Sequence, residues 1–172
     1  MEETSKYSFW NNVFKQGIIY AVAVSIIATI FDLFALSFTN WGYLFLFLPI
    51  FLIVNAIQER KKIQEGIISF NQGLSTGWTT AIIGSFLSSI YSAIYYNVIL
   101  PAQKGIALEK MKEMFERIGL KENQLDEIIE KQAQNFEPQW IILYGTINGI
   151  IVGLIFSLII AAIFKKDKNP FE

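Results

Sequence analysis

Apolar and polar positions divide this chain into long blocks. Four apolar runs, at about 17–38, 41–57, 77–100 and 139–164, contain a single charged residue, Asp32. A helix rises about 1.5 Å per residue and a bilayer core is about 30 Å thick, so runs of this length predict membrane-spanning helices. The segment between the third and fourth runs, residues 101–138, has a different pattern. Its Leu108, Met111, Phe115 and Ile118 recur at three- and four-residue spacing, which places them on one helical face. Gly119 is a natural helix stop, and Asn123 is placed to cap a second helix carrying Leu125, Ile128 and Ile129. Glu109–Lys112 and Glu113–Arg117 read as pairs on its solvated side. Pro138 is suited to open the fourth span, where a missing N–H costs nothing. The expected fold is all-α: an integral membrane four-helix bundle, one domain over residues 1–172, with a short amphipathic helical pair between spans 3 and 4.

Charge orients this bundle. Basic residues near span ends collect on the cytoplasmic side. Arg60, Lys61 and Lys62 follow the second run, as a solvated stop-transfer cluster, and Lys165, Lys166 and Lys168 follow the fourth. The turn Thr39-Asn40 carries no charge, and residues 101–138 hold six basic but eight acidic residues. Both termini are therefore expected in the cytoplasm and the long loop outside. Tryptophans favour the headgroup level, and this topology puts Trp10 and Trp78 at the inner face and Trp41 and Trp140 at the outer one. Tyr43, Tyr95, Tyr96 and Tyr144 join the outer belt. The first run is too long for an ordinary signal peptide, so an uncleaved first helix is expected despite the small-x-small pattern at Ala35-Leu36-Ser37.

Small residues recur every four positions in three of the runs. The last has Gly145, Gly149, Gly153, Ser157 and Ala161. The third has Gly77, Ala81, Ser85, Ser89 and Ala93, with Thr80, Gly84, Ser88 and Ser92 beside them, and the first has Gly17, Ala21, Ser25 and Thr29. In lipid such faces permit close helix contact, either within one bundle or as a seam between two copies or with another membrane protein. Pro49 is expected to kink the second helix.

Composition removes whole classes of chemistry. There is no histidine and no cysteine, which excludes disulfides, thiolate nucleophiles, the common zinc sites and every Ser-His or Cys-His arrangement. A formal net charge of −1 argues against nucleic acid as a partner, and no phosphate-binding glycine motif occurs. No cofactor or metal is expected, and no enzymatic activity. Asp32 is the one intramembrane carboxylate, a little inside the end of the first run. Such a residue faces a bundle interior or water. It is a candidate proton or cation site, or it reaches the interface or bonds a neighbour such as Asn148. Asn55, Asn97 and Asn148 read as inter-helix hydrogen bonds. In the link after the second run, Ile67, Ile68, Phe70 and Leu74 predict a segment lying in the interface.

These features in this order resemble the bacterial domain of unknown function 4199 family. The likeness rests on the basic cluster Arg60–Lys62, the stretch Gly66-Ile67-Ile68-Ser69-Phe70 with Gly73, and Tyr95-Tyr96-Asn97 before Pro101. The acidic amphipathic loop ending Pro138-Gln139-Trp140 and the last span ending Ala161-Ala162-Ile163-Phe164-Lys165-Lys166 complete it. The resemblance implies a four-span protein of the bacterial cytoplasmic membrane and brings no catalytic residues. The expected role is a non-enzymatic accessory or scaffold subunit acting in the bilayer through helix and loop contacts, with Leu108, Met111, Phe115 and Ile118 as a partner face. The alternative is a small transporter or cation channel with Asp32 as its coupling carboxylate.

Overall fold

A backbone in hydrocarbon must satisfy its own N–H and C=O groups, and a helix does this within one segment. Accordingly every regular element among the described residues is helical, apart from one isolated bridge. The computed structural model describes residues 2–36 and 47–166. The chain order is α1 (Glu2–Leu33), α2 (Phe47–Ile63), α3 (Phe70–Ile94) running into a π-helical turn (Tyr95–Ile99), α4 (Ala102–Arg117), α5 (Glu122–Gln134) and α6 (Pro138–Phe164). The expected Trp41, Tyr43, Thr39-Asn40 and Lys168 positions lie outside the described residues.

The helix α3 is the central column, packed by α1, α2 and α6. Its start is written in the sequence as Ser69-x-x-Gln72. The Ser69 hydroxyl accepts from the Gln72 N–H at 3.3 Å, and the Gln72 side chain accepts from the Ser69 N–H at 3.0 Å. This capping box begins the helix at Phe70, seven residues before the expected edge of the apolar run.

Small residues decide how α6 lies on it. Gly73 faces Ala161, Gly77 faces Ser157, Ala81 faces Gly153, Ser85 faces Gly149 and Ser89 faces Gly145. Each step of four along α3 is matched by a step of four back along α6, so the two stripes close antiparallel on each other. A Cβ added at Gly153 would lie 2.5 Å from Ala81 Cβ, and one at Gly145 2.6 Å from Ser89 Cβ. Trp78 adds a polar tie, its indole N–H donating to the Ile150 carbonyl at 3.0 Å. Trp78 thus serves an inter-helix contact, where the sequence placed it in the headgroup belt.

The pairing of α1 with α3 has the opposite sense. Gly17 meets Ile83, Tyr20 lies over Gly84, Thr29 meets Tyr91 and Asp32 meets Tyr95, so the two helices are parallel. In α2, Asn55 donates to Gln16 at 3.0 Å, while Ile57 and Ile53 reach Gly73 and Gly77. That helix runs back against both.

Three helices are long and apolar enough to span a membrane: Phe9–Leu33, Phe70–Ile99 and Pro138–Phe164. The expected count was four. Described α2 has 17 residues and places Arg60, Lys61 and Lys62 in its last turn, so its apolar part falls short of that length. Residues 41–46 of that run lie outside the described residues. Pro49 stands in the first turn of α2, so no described helix precedes it to be kinked.

One end of the bundle is tied by the basic residues. Ile68 and Lys166 exchange backbone hydrogen bonds at 3.1 and 2.9 Å. Lys61 donates to the Phe164 carbonyl at 3.0 Å, closing the C-terminus of α6. Arg60 is 5% exposed with its guanidinium 5.6 Å from the Phe9 ring centre. Of the expected solvated cluster, only Lys62 is truly solvated.

At the other end α4 and α5 form a hairpin. Gly119, at φ +89°, allows the Schellman closure in which Gly119 and Leu120 donate to the Glu116 and Phe115 carbonyls. Helix α5 begins at Glu122 behind Lys121, so Asn123 lies inside it and is not its cap. The ion pairs described for α4 are Lys110–Glu113 at 3.0 Å and Lys112–Asp126 at 3.6 Å, the second joining it to α5, in place of the expected Glu109 and Arg117 pairs.

Candidate functional site

The one carboxylate of the long apolar runs lies at the hairpin end. Helix α1 stops at Leu33, five residues before the apolar run ends, so Asp32 stands in its last turn and not well inside the helix. A carboxylate is unfavourable there, because the last carbonyls already carry partial negative charge. Two hydroxyls offset it. Tyr95 donates to Asp32 Oδ2 at 2.9 Å and Tyr96 to Oδ1 at 3.1 Å. The Asp32 partners are therefore α3 tyrosines and not Asn148.

Two consecutive residues on an α-helix point about 100° apart, which makes this double contact unusual. It occurs where α3 widens. Leu100 donates to the Tyr95 carbonyl at 2.9 Å, the five-residue step of a π-helix, just before Pro101 ends the ladder. Asn97 holds this turn to the loop before α6, donating to the Ala93 carbonyl at 2.9 Å and the Phe136 carbonyl at 3.1 Å. The Tyr96 ring meets Phe136 edge-on at 5.1 Å. Asp32 thus links the end of α1 to the base of the hairpin. One turn below, Thr29 and Tyr91 share a hydrogen bond of 2.8 Å.

Below these pairs a cleft of about 270 Å³ lies among α1, α2, α3 and α6. Ser85, Ser88, Ser89 and Ser92 line its α3 side, and Asn148 lies on its α6 side. Ser88, Ser89 and Ser92 donate to carbonyls of their own helix at 2.8–3.1 Å, so their oxygens remain as acceptors.

The other candidate residues sit as follows. Asn55 joins α2 to α1 through Gln16, away from Asp32. Gly145, Gly149 and Gly153 are occupied by α3, and Gly84 accommodates the Tyr20 ring of α1. A seam between copies would therefore need another face. On α4, Leu108, Met111 and Phe115 are half-buried, with Met114 at 46% and Ile106 at 43% exposure, and Ile118, the residue that caps the helix, is 70% exposed. The tyrosine donors were missed because they were read as belt residues. Their signal was a Tyr91-x-x-x-Tyr95 spacing on the face that carries Ser88 and Ser92. Among the described residues no three Asp, Glu, His or Cys side chains gather as a metal site.

Among curated proteins and among solved structures, nothing matches the chain. A family model described as protein of unknown function (DUF4199) does match, over residues 15–166, and the chain belongs to that family.

Proposed function

We propose that this is a four-span protein of the bacterial cytoplasmic membrane that acts without catalysis, as an accessory or scaffold subunit. The exposed apolar edge of the hairpin carries the reading. Ile106, Met114 and Ile118 stand outside the long apolar helices, on a helix that otherwise buries its large residues halfway, and exposed apolar groups rimmed by charge mark contact surfaces. Four crossings follow from parity. If α1 and α3 both cross and run parallel, the chain must return between them, and α2 is the antiparallel segment packed there. The basic residues Arg60–Lys62, Lys165 and Lys166 share one end, which supports a cytoplasmic placement of that end and of both termini.

The test is a photocrosslinking residue at Ile118 in native membranes, with Ile147 on α6 as the lipid-facing comparison. A stoichiometric protein crosslinked from 118 alone, and lost from purifications of the Met114→Glu/Ile118→Glu variant while that variant remains folded, is the expected result. Crosslinks to lipid only, or equal crosslinking from both sites, would overturn the reading.

A second reading makes Asp32 the coupling group of a small transporter or cation channel. The two tyrosine hydroxyls on its carboxylate, beside a hydroxyl-lined cleft, favour it. Proton or cation flux in liposomes that Asp32→Asn leaves unchanged would remove it.

A further inference from the structure

Asn148 stands ten residues into α6, about 15 Å from the start of that helix, as an exposed residue at the open side of the cleft, and its amide makes no hydrogen bond among the described residues. An unpaired amide in hydrocarbon costs several kcal/mol, so that group requires water or a polar partner. It lies on the cleft that the α3 serines line. Ser85, Ser88 and Ser89 are themselves each more than nine-tenths buried, and three of the cleft serines present oxygen lone pairs there. Two independent features therefore select the same contents: an amide in need of solvation and a wall of acceptors.

The cleft has a direction. Ile141, within the first turn of α6, and Ser92, near the end of α3, line it at the hairpin end. Tyr20, Gly149 and Val152 line its deep end. Beneath them the bundle closes, with Ile53, Thr80, Ala81 and Ser157 fully buried. Asp32 is not a lining residue but stands one helical turn beyond Ala28, which is, on the hairpin side of the cleft.

We propose that this cleft is a water-filled vestibule entering the membrane from the hairpin side, ending about halfway, and favouring small cations and hydrogen-bond donors over anions. It is a dead-end site in this conformation and not a pore. The proposal is independent of a partner on α4, since it depends on the bundle alone.

The chain contains no cysteine, so single cysteines report without background. Ser92→Cys, Asn148→Cys and Ile147→Cys would be treated in sided vesicles with membrane-impermeant methanethiosulfonates of either charge. Ile147 sits beside Asn148 at the same depth but outside the cleft lining. A thiol in hydrocarbon stays protonated and inert, so Ile147→Cys should not react. Ser92→Cys and Asn148→Cys should both react, and only from the hairpin side. At Ser92→Cys the cationic reagent should be roughly tenfold faster than the anionic one, since one unit charge about 6 Å away in water speeds the first and slows the second about threefold each, and Asp32→Asn should abolish that preference. Reaction at neither position beyond the Ile147→Cys rate would overturn the vestibule; lipid or a second copy would then fill the cleft. Equal rates for the two reagents at Ser92→Cys would overturn the cation preference. Serine and cysteine are nearly isosteric, so Ser92→Cys keeps the test valid even if Asn148→Cys fails to fold.

Discussion

Single glycines in this protein divide by what a side chain would meet. At Gly149 an added Cβ would run into Ser85 Cβ and Oγ, and at Gly84 into the Tyr20 ring. At Gly105, inside α4, it would meet nothing within 4 Å. Gly149→Leu must therefore push α6 from α3, and overpacking of this kind costs about 1–3 kcal/mol or more. Gly105→Ala should add about 0.5–1 kcal/mol, by removing backbone freedom from the unfolded chain and exposing less backbone. Thermal midpoints in detergent should move in opposite directions for the two variants. A Gly149→Leu protein as stable as the parent would mean that the α3–α6 register described above is wrong. That register was partly legible in the sequence. Three runs of small residues at period four were visible, but which run meets which is a tertiary fact, and both a seam between copies and an internal contact fit the same spacing.

At the scale of elements, the α4–α5 hairpin shows apolar contact outweighing surface charge. Leu125 is buried between the helices, whereas Glu127 and Lys131 form a 2.7 Å pair with both side chains about 70% exposed. Their hydrogen bond, then their mutual attraction, lowers the Glu127 carboxyl pKa and raises that of the Lys131 ammonium. The lowered carboxyl contributes above its unfolded pKa and loses that contribution as pH falls through the folded value. The raised ammonium contributes below its unfolded pKa and loses it as pH rises through the folded value. The pair helps only between those limits, and solvent screens it. Hydrogen exchange at neutral pH should therefore show α5 amides unchanged in Glu127→Gln. Leu125→Ala, a large-to-small change at a buried site worth about 2–5 kcal/mol, should expose them. The sequence predicted this helical pair from its apolar spacing and from Gly119. It misplaced the second cap, because Asn123 is a good capping residue and the actual start at Lys121 has no such marker. The π-helical turn was not legible at all. It depends on Pro101 ending the ladder while Asn97 and Tyr96 hold the loop at Phe136, contacts 39 and 40 residues apart in the chain.

For the whole molecule, contacts between distant segments govern how often the chain can cross. The basic end is closed by contacts between segments far apart in sequence: Lys61 on the Phe164 carbonyl, and Ile68 paired with Lys166. Residues 62 and 166 must therefore lie on one side of any membrane the bundle spans. Residue 112, on the hairpin beyond the far ends of α3 and α6, must lie on the other. Single cysteines at Lys62, Lys112 and Lys166, labelled from one side of sealed vesicles, should divide two to one, with 112 as the odd position. Labelling of 62 and 112 from the same side would mean that α3 does not cross, whatever its length and apolarity. That the basic residues collect at one end of the bundle, away from the hairpin, was predictable from sequence. What the cluster does was not, since Lys61 and Arg60 turn inward to a helix end and an aromatic ring and only Lys62 meets the solvent that all three were expected to share. Lys61→Gln should consequently loosen the α6 terminus without reversing the topology, because Arg60, Lys62, Lys165 and Lys166 still mark that end. Faster exchange at residues 161–166 with an unchanged labelling pattern is the expected outcome; a reversed pattern would show that orientation depends on this one residue.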